Sequence, residues 1–145
     1  MTKRREFIKK SALGTAAIAI GGVGFSSKSY NSISGANERI TLAVCGIRGQ
    51  GGGHVNTWSR MKDTQNVRLK TICDVDEQFF AERAKTVMTN SGETPKTEWD
   101  MRKVFEDKEI DAVSFANPNF WHALGTVWAC QAGKHVYVEK PATHG

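Results

Sequence analysis

The sequence predicts an α/β fold built on a doubly wound parallel sheet. Three observations point to it. Short β-forming runs alternate with segments of helical periodicity from Ile40 to Val138, the order of βαβ units. The first run breaks into five glycines within eight positions, Gly46 to Gly53, before helical spacing begins. The polar residues that stand out fall where the runs end, the edge at which open parallel sheets bind ligands.

The first strand begins at Ile40 and is apolar and rich in β-formers up to Cys45. A parallel strand covered on both faces reads this way. Val55, Trp58 and Met61 then fall at helical spacing, so the order is strand, glycine loop, helix. The N–H groups of such a loop, with the helix N-terminus, form a site for a pyrophosphate. The G-x-G-x-x-G template of dinucleotide-binding Rossmann domains fits at Gly46 and Gly51, but Arg48 stands where the second glycine belongs. Two paths are open. Arg48 points away and pairs with phosphate oxygens, or the loop takes another course through Gly49. The cofactor-binding candidates here are Gly46, Ile47, Arg48, Gly49 and Gly51.

Val67 to Cys73 alternates and ends at Asp74, the second strand. Asp74 lies 23 positions after Gly51, about where this fold places its ribose-binding acid. A carboxylate there accepts both ribose hydroxyls and repels a 2′-phosphate, which favours NAD over NADP. The competing role for Asp74 or Asp76 is to cap the next helix, and Asp76 is the better placed for it. That helix is expected over Glu77–Thr89, with Phe79, Phe80, Ala84, Val87 and Met88 as its apolar positions. A loop from Asn90 to Pro95 leads to a short third strand near Lys96–Glu98 and a helix over Asp100–Phe105. The fourth strand, Ile110–Ala116, stops at Asn117-Pro118-Asn119, because proline cannot continue the ladder. A helix from Trp121 to Ala132 is expected to bury Leu124, Val127 and Trp128, with Gly133 beyond its end. His135–Val138 is the fifth strand, and Glu139-Lys140-Pro141 follows it. The glycine loop, Asp74, Asn117–His122 and Glu139–Pro141 therefore all meet at one sheet edge.

The chain has 145 residues and a formal net charge of +5. The whole excess lies in residues 1–36, and the remaining 109 residues balance to zero. This argues against a nucleic-acid partner. No metal-ligand spacing is present, and His54, His122, His135 and His144 are isolated from one another in sequence. Cys45, Cys73 and Cys130 form no C-x-x-C pair and are expected to be small buried hydrophobes. The N-terminus, Lys3-Arg4-Arg5-Glu6-Phe7-Ile8-Lys9, matches a twin-arginine export signal. A weakly apolar region from Ala12 to Phe25 is too short for a stable membrane span. A serine-rich spacer and the small residues Ser34-Gly35-Ala36 complete a cleavable pattern before Asn37. The expected division is signal and spacer 1–36 and dinucleotide-binding domain 37–145. The translocase is a transient partner and the destination is the periplasm or outside the cell. An uncleaved N-terminal anchor is the rival reading.

Ile110-Asp111-Ala112-Val113, Pro118 with His122, Ala132-Gly133-Lys134-His135-Val136 and Glu139-Lys140-Pro141 resemble the Gfo/Idh/MocA family, that of glucose–fructose oxidoreductase and inositol dehydrogenase. The resemblance runs from Ile40 to the end, and Arg48 is its main departure. It implies an N-terminal NAD(P)-binding Rossmann domain and a C-terminal α/β domain that forms the substrate wall and the oligomer interface. It implies hydride transfer between a nicotinamide cofactor and a carbinol of a sugar or cyclitol. Lys140 would stand beside the nicotinamide and the substrate hydroxyl. The positive ring and partial burial would favour a neutral lysine there, able to exchange a proton with the hydroxyl. His122 would line the nicotinamide pocket or simply start its helix, and Glu139 would position loop and cofactor. Asn117 and Pro118 complete the cofactor contacts. The chain stops at Gly145, before the second domain of such an enzyme, so a fragment is expected that alone catalyses no hydride transfer. Three activities stay open: a sugar or polyol oxidoreductase, an NAD-dependent glycosidase of the same fold, and a non-catalytic dinucleotide-binding module.

Overall fold

The computed structural model describes residues 39–143. The expected export segment and His144 lie outside the described residues. Five parallel strands form one sheet, in the order β3-β2-β1-β4-β5: β1 Ile40–Cys45, β2 Val67–Cys73, β3 Lys96–Glu98, β4 Ala112–Phe115 and β5 His135–Val138. The chain runs outward from β1 to β3, then returns to the other side of β1. The switch point between β1 and β4 opens a crevice at the carboxyl ends of the strands.

Alternation within β1 divides the core between the two faces of the sheet. Leu42 and Val44 pack with Val55, Ile72 and Val87 on one face. Ala43 and Cys45 pack with Phe105, Phe115 and Ala129 on the other. Fully buried side chains such as Val44, Val55 and Ile72 contribute about 1.5–3 kcal/mol each. Helices α1 (Gln50–Arg60) and α3 (Phe80–Ser91) supply Val55 and Val87, and helices α4 (Met101–Glu106) and α5 (His122–Gln131) supply Phe105 and Ala129. The short α2 (Lys62–Gln65) leads into β2 through Asn66, whose φ is 52°. Pairing of β1 with β2 slips once: Leu42 faces Leu69, and Ala43 faces Thr71, which leaves Lys70 unopposed.

Several expected boundaries and faces are corrected. Helix α1 begins at Gln50, so Gly51, Gly52 and Gly53 belong to its first turn and not to the loop. The helix expected over Glu77–Thr89 is a 3₁₀ turn, Glu77–Phe79, followed by α3. It extends through Asn90 and Ser91 and ends at Gly92, with φ 70°. Val87 is fully buried, whereas Met88 is 51% exposed, because one helical step of about 100° turns it outward. Strand β4 is shorter than expected, since the Asp111 carboxylate takes the Thr41 N–H at its start. Asp100 is the N-cap of α4 and not its first residue, and its carboxylate accepts the Arg102 N–H. Another 3₁₀ turn, Asn119–Trp121, precedes α5.

The buried face of α5 also differs. Leu124 is 42% and Val127 51% exposed, while His122, Gly125 and Ala129 face the sheet and Trp128 is half-buried. Gly125 explains why. A Cβ there would come within 3.1 Å of the Phe115 ring, so the helix approaches the sheet through its smallest residues. Cys130, expected buried, is exposed on the same helix.

Candidate functional site

Gly46 follows β1 with φ 82°, and its N–H donates to the Cys73 carbonyl. A Cβ at Gly46 would lie 2.4 Å from the Asn117 nitrogen, so only glycine lets the loop pass the end of β4. Ile47 is fully buried and anchors the loop. Its N–H donates to Asp74 Oδ2 at 2.8 Å, and its carbonyl accepts from Arg83 Nε at 2.9 Å. Gly49 has φ 48°, and nothing lies within 4 Å of the position its Cβ would take. Arg48 is exposed, with its guanidinium 5.6 Å from the centre of the Phe79 ring. The backbone turns at Gly49, and Arg48 lies on the rim against an aromatic face.

A crevice of about 860 Å³ opens beyond these residues. Arg48 and Gly49 line it from the loop, Asp74 and Asp76 from the end of β2, and Asn117 and Pro118 from the end of β4. Trp99 and Arg102 extend its far wall. Asp74 Oδ1 accepts the Asp76 N–H, and Asp76 in turn caps the Glu77–Phe79 turn through the Gln78 N–H. The capping role thus belongs to Asp76, while Asp74 faces the glycine loop. Asn117 Oδ1 is buried without a hydrogen-bond partner. At the edge of a crevice such an acceptor is open to a donor from water or from a ligand.

A smaller cavity of about 400 Å³ adjoins it, lined by Gln50, Asn117, Asn119, His122, Glu139 and Lys140. Lys140 is exposed. His122 is 2% exposed. Its Nδ1 faces the Pro141 carbonyl and its Nε2 the Asn117 carbonyl, both at 2.8 Å. Carbonyl oxygens only accept, so both bonds together need both ring nitrogens protonated. The ring ties the loop after β4 to the loop after β5.

His54 is the participant missing from the sequence reading. It is 7% exposed, on the inner side of α1. Nδ1 lies 2.9 Å from Ser114 Oγ and Nε2 2.9 Å from Glu139 Oε1. Trp58 Nε1 donates to the same Ser114 Oγ at 3.1 Å. The hydrogen bond from His54 holds the Glu139 carboxyl below the usual glutamate range, against the upward push of desolvation. Arg83 under Ile47 was missed as well. Neither has a sequence signature beyond a polar residue on the buried stripe of a helix. Among the described residues, no group of three or more His, Cys, Asp or Glu side chains could hold a metal ion, and no helix is long and apolar enough to cross a membrane.

The crevice fits an extended nucleotide. Its size, the open turn at Gly49, the carboxylate at the end of β2 and the bare Asn117 acceptor agree with that class of ligand. Comparison with known proteins gives the same answer. A glycosyl hydrolase family 109 protein of Shewanella pealeana is 27% identical over 154 residues, covering 95% of this chain and 33% of that protein. The chain spans about a third of the length of the curated relatives it matches. Scyllo-inositol dehydrogenase from Lactobacillus casei, solved with NAD(H) and scyllo-inositol, superposes with a TM-score of 0.59 at 24% identity, over 74% of this chain and 30% of that one. Levoglucosan dehydrogenase in complex with NADH gives a TM-score of 0.63 at 24% identity, over 73% and 28%. These two show the shared fold. The model of the Gfo/Idh/MocA oxidoreductase family, NAD-binding Rossmann fold, matches residues 40–144, most of the chain, and the protein therefore belongs to that family.

Proposed function

We propose that this chain is the cofactor-binding part of an NAD-dependent oxidoreductase that acts on a carbinol of a sugar or cyclitol. The observation that carries the reading is the gathering at one sheet edge of the glycine loop, Asp74, the bare Asn117 acceptor and Lys140. Loop N–H groups and Arg48 would hold the pyrophosphate, and Asp74 the adenosine ribose, in favour of NAD over NADP. Bound NAD supplies the hydride acceptor. Lys140 takes the hydroxyl proton as the carbinol is oxidised and returns it in the reverse direction. His122, with both ring nitrogens against main-chain carbonyls, serves by fixing the two loops and not by moving the proton.

An NAD-dependent glycosidase is the second reading. It is favoured by the relatives named glycosyl hydrolase family 109. One experiment separates the two. The complete enzyme is assayed for NADH absorbance and for released sugar against free sugars, cyclitols and glycosides. Net NADH supports the dehydrogenase, whereas released sugar without net NADH supports the glycosidase. In either case Lys140→Ala is expected to lower the rate by roughly 10²–10⁴-fold, the usual worth of a positioned acid–base group. Turnover unaffected by that substitution would overturn the assignment of the site. Twin-arginine export, a periplasmic or extracellular location and a homo-oligomeric complete enzyme belong to the same proposal. Arg4→Lys with Arg5→Lys is expected to retain the protein in the cytoplasm.

A further inference from the structure

Two buried histidines bracket Lys140. His54 bonds the side chain of the residue before it, Glu139, and His122 bonds the carbonyl of the residue after it, Pro141. The histidines come from different helices on opposite faces of the sheet, α1 and α5. Trp58 Nε1–H donates to Ser114 Oγ, and the same oxygen lies 2.9 Å from His54 Nδ1. The Glu139 carboxylate only accepts, so His54 Nε2–H is the donor in the 2.9 Å bond to Oε1. The Tyr137 ring packs edge-on against both His54 and Trp58, so the imidazole has little freedom to turn. The Lys140 N–H and the side chain of Gln50, the first residue of α1, add to the effect of His54 in holding the Glu139 carboxyl down.

We propose that His54 is a positioning residue: through Glu139 it ties the segment 139–141 to the helix that opens at the glycine loop, and so fixes Lys140 relative to the bound cofactor. The proposal rests on Lys140 being the proton-transferring group. His54 touches neither crevice wall at the reacting end. Its effect passes through a carboxylate that only accepts, which suits Glu139 to anchoring and not to acid catalysis. Without the bond, the exposed Lys140 side chain would keep its chemistry and lose its place, and a misplacement of about 1 Å costs as much as 10²-fold in rate.

The test uses His54→Ala, His54→Gln and Glu139→Ala. Glutamine carries its amide nitrogen the same number of bonds from Cα as the imidazole Nε2, so it can still donate to Glu139. Amide hydrogen exchange of the peptide spanning 139–143 is measured with and without NAD, beside calorimetric NAD titration and a urea unfolding curve. His54→Ala and Glu139→Ala should speed exchange at 139–141 and abolish any further slowing by NAD, and His54→Ala should do so with NAD affinity kept. His54→Gln should restore the slow exchange. In the complete enzyme kcat should fall by roughly 10²-fold with KM for NAD unchanged. If His54→Ala lowers the urea midpoint but leaves exchange at 139–141 and kcat as they were, the residue is only structural and the proposal fails. Should His54→Ala not fold, Glu139→Ala cuts the same bond from the solvent side and decides the matter. If the unmodified chain binds no NAD, the cofactor reading fails, while exchange in the free protein still reports on the tether.

Discussion

The Asp74 carboxylate accepts the Ile47 N–H at 2.8 Å, across 27 residues of sequence. The acid at the end of β2 thus shapes the glycine loop directly. A hydrogen bond to a charged group contributes about 1.5–3 kcal/mol. Asp74→Ala should therefore weaken NAD binding by roughly 10–100-fold and erase discrimination against NADP. Asp74→Asn keeps an acceptor for Ile47, and should lose the discrimination with a smaller loss of NAD affinity. Calorimetry with both dinucleotides checks this. Retained preference for NAD in Asp74→Ala would show that selectivity lies elsewhere.

Two glycines of α1 make opposite predictions. A Cβ at Gly51 would sit 1.7 Å from the Gly46 carbonyl oxygen, a backbone atom that cannot move aside. At Gly53 nothing lies within 4 Å. Gly51→Ala should abolish or severely weaken folding, whereas Gly53→Ala should stabilise by up to about 1 kcal/mol through helix propensity. Urea midpoints of the two variants give the answer directly.

Stability should fall in acid for an identifiable reason. The Arg102 guanidinium, and then the Arg102 N–H, hold the Asp100 carboxyl at about 2, against an ordinary 3.8. Lys62 holds Glu93 down, and Lys70 holds Asp107 down. Folded values below unfolded ones give stability that is complete above the ordinary carboxylate range and lost as pH falls through the folded values. The urea midpoint should therefore decline from about pH 5 downward. Asp100→Asn keeps the helix cap and should shrink the decline between pH 3.8 and about 2. An unchanged profile would show that Asp100 is equally depressed in the unfolded chain.

The cysteines should separate by reactivity. The Cys45 thiol is pushed well above its ordinary value, first by its hydrogen bond with Cys73 and then by burial. Cys73 is buried beside it, and Cys130 is exposed. A thiol-specific chromogenic reagent should titrate Cys130 alone in the native protein and all three cysteines in urea. Rapid native labelling of Cys45 or Cys73 would mean that the floor of the crevice opens.

Strands, crossovers and the glycine loop were legible because they depend on local pattern. A strand is a run of β-formers, and a turn past β4 needs glycine at Gly46. The face of α5 was not legible. Its apolar residues surround the helix, and the choice is made by the Phe115 ring, which admits Gly125 and Ala129 and turns Leu124 and Val127 outward. His54 was missed for a different reason. Its partners Ser114 and Glu139 stand 60 and 85 positions away, and only the assembled sheet brings them together. The resemblance singles out Lys140 and Glu139, but not the bond that ties Glu139 to His54 of α1.

The unopposed Lys70 of β2 has a bearing on how the chain tolerates changes of length. Val67 and Leu69 are buried while Arg68 and Lys70 are not, but Thr71, Ile72 and Cys73 are buried in succession. The extra residue therefore acts as a phase shifter between the outer and inner halves of the strand. Lys70 itself pairs only with Asp107 and Glu109 near the surface, so replacing it is a small matter. Deleting it should be tolerated too: Leu69 and Thr71 would then follow each other opposite Leu42 and Ala43, and every other residue of β2 would keep its partner and its face. A deletion at a paired position has no such escape, because it turns one half of the strand over and moves either Val67 and Leu69 or Asp74 to the wrong side. The slack in the length of β2 is therefore confined to one residue, well short of the end that shapes the nucleotide crevice.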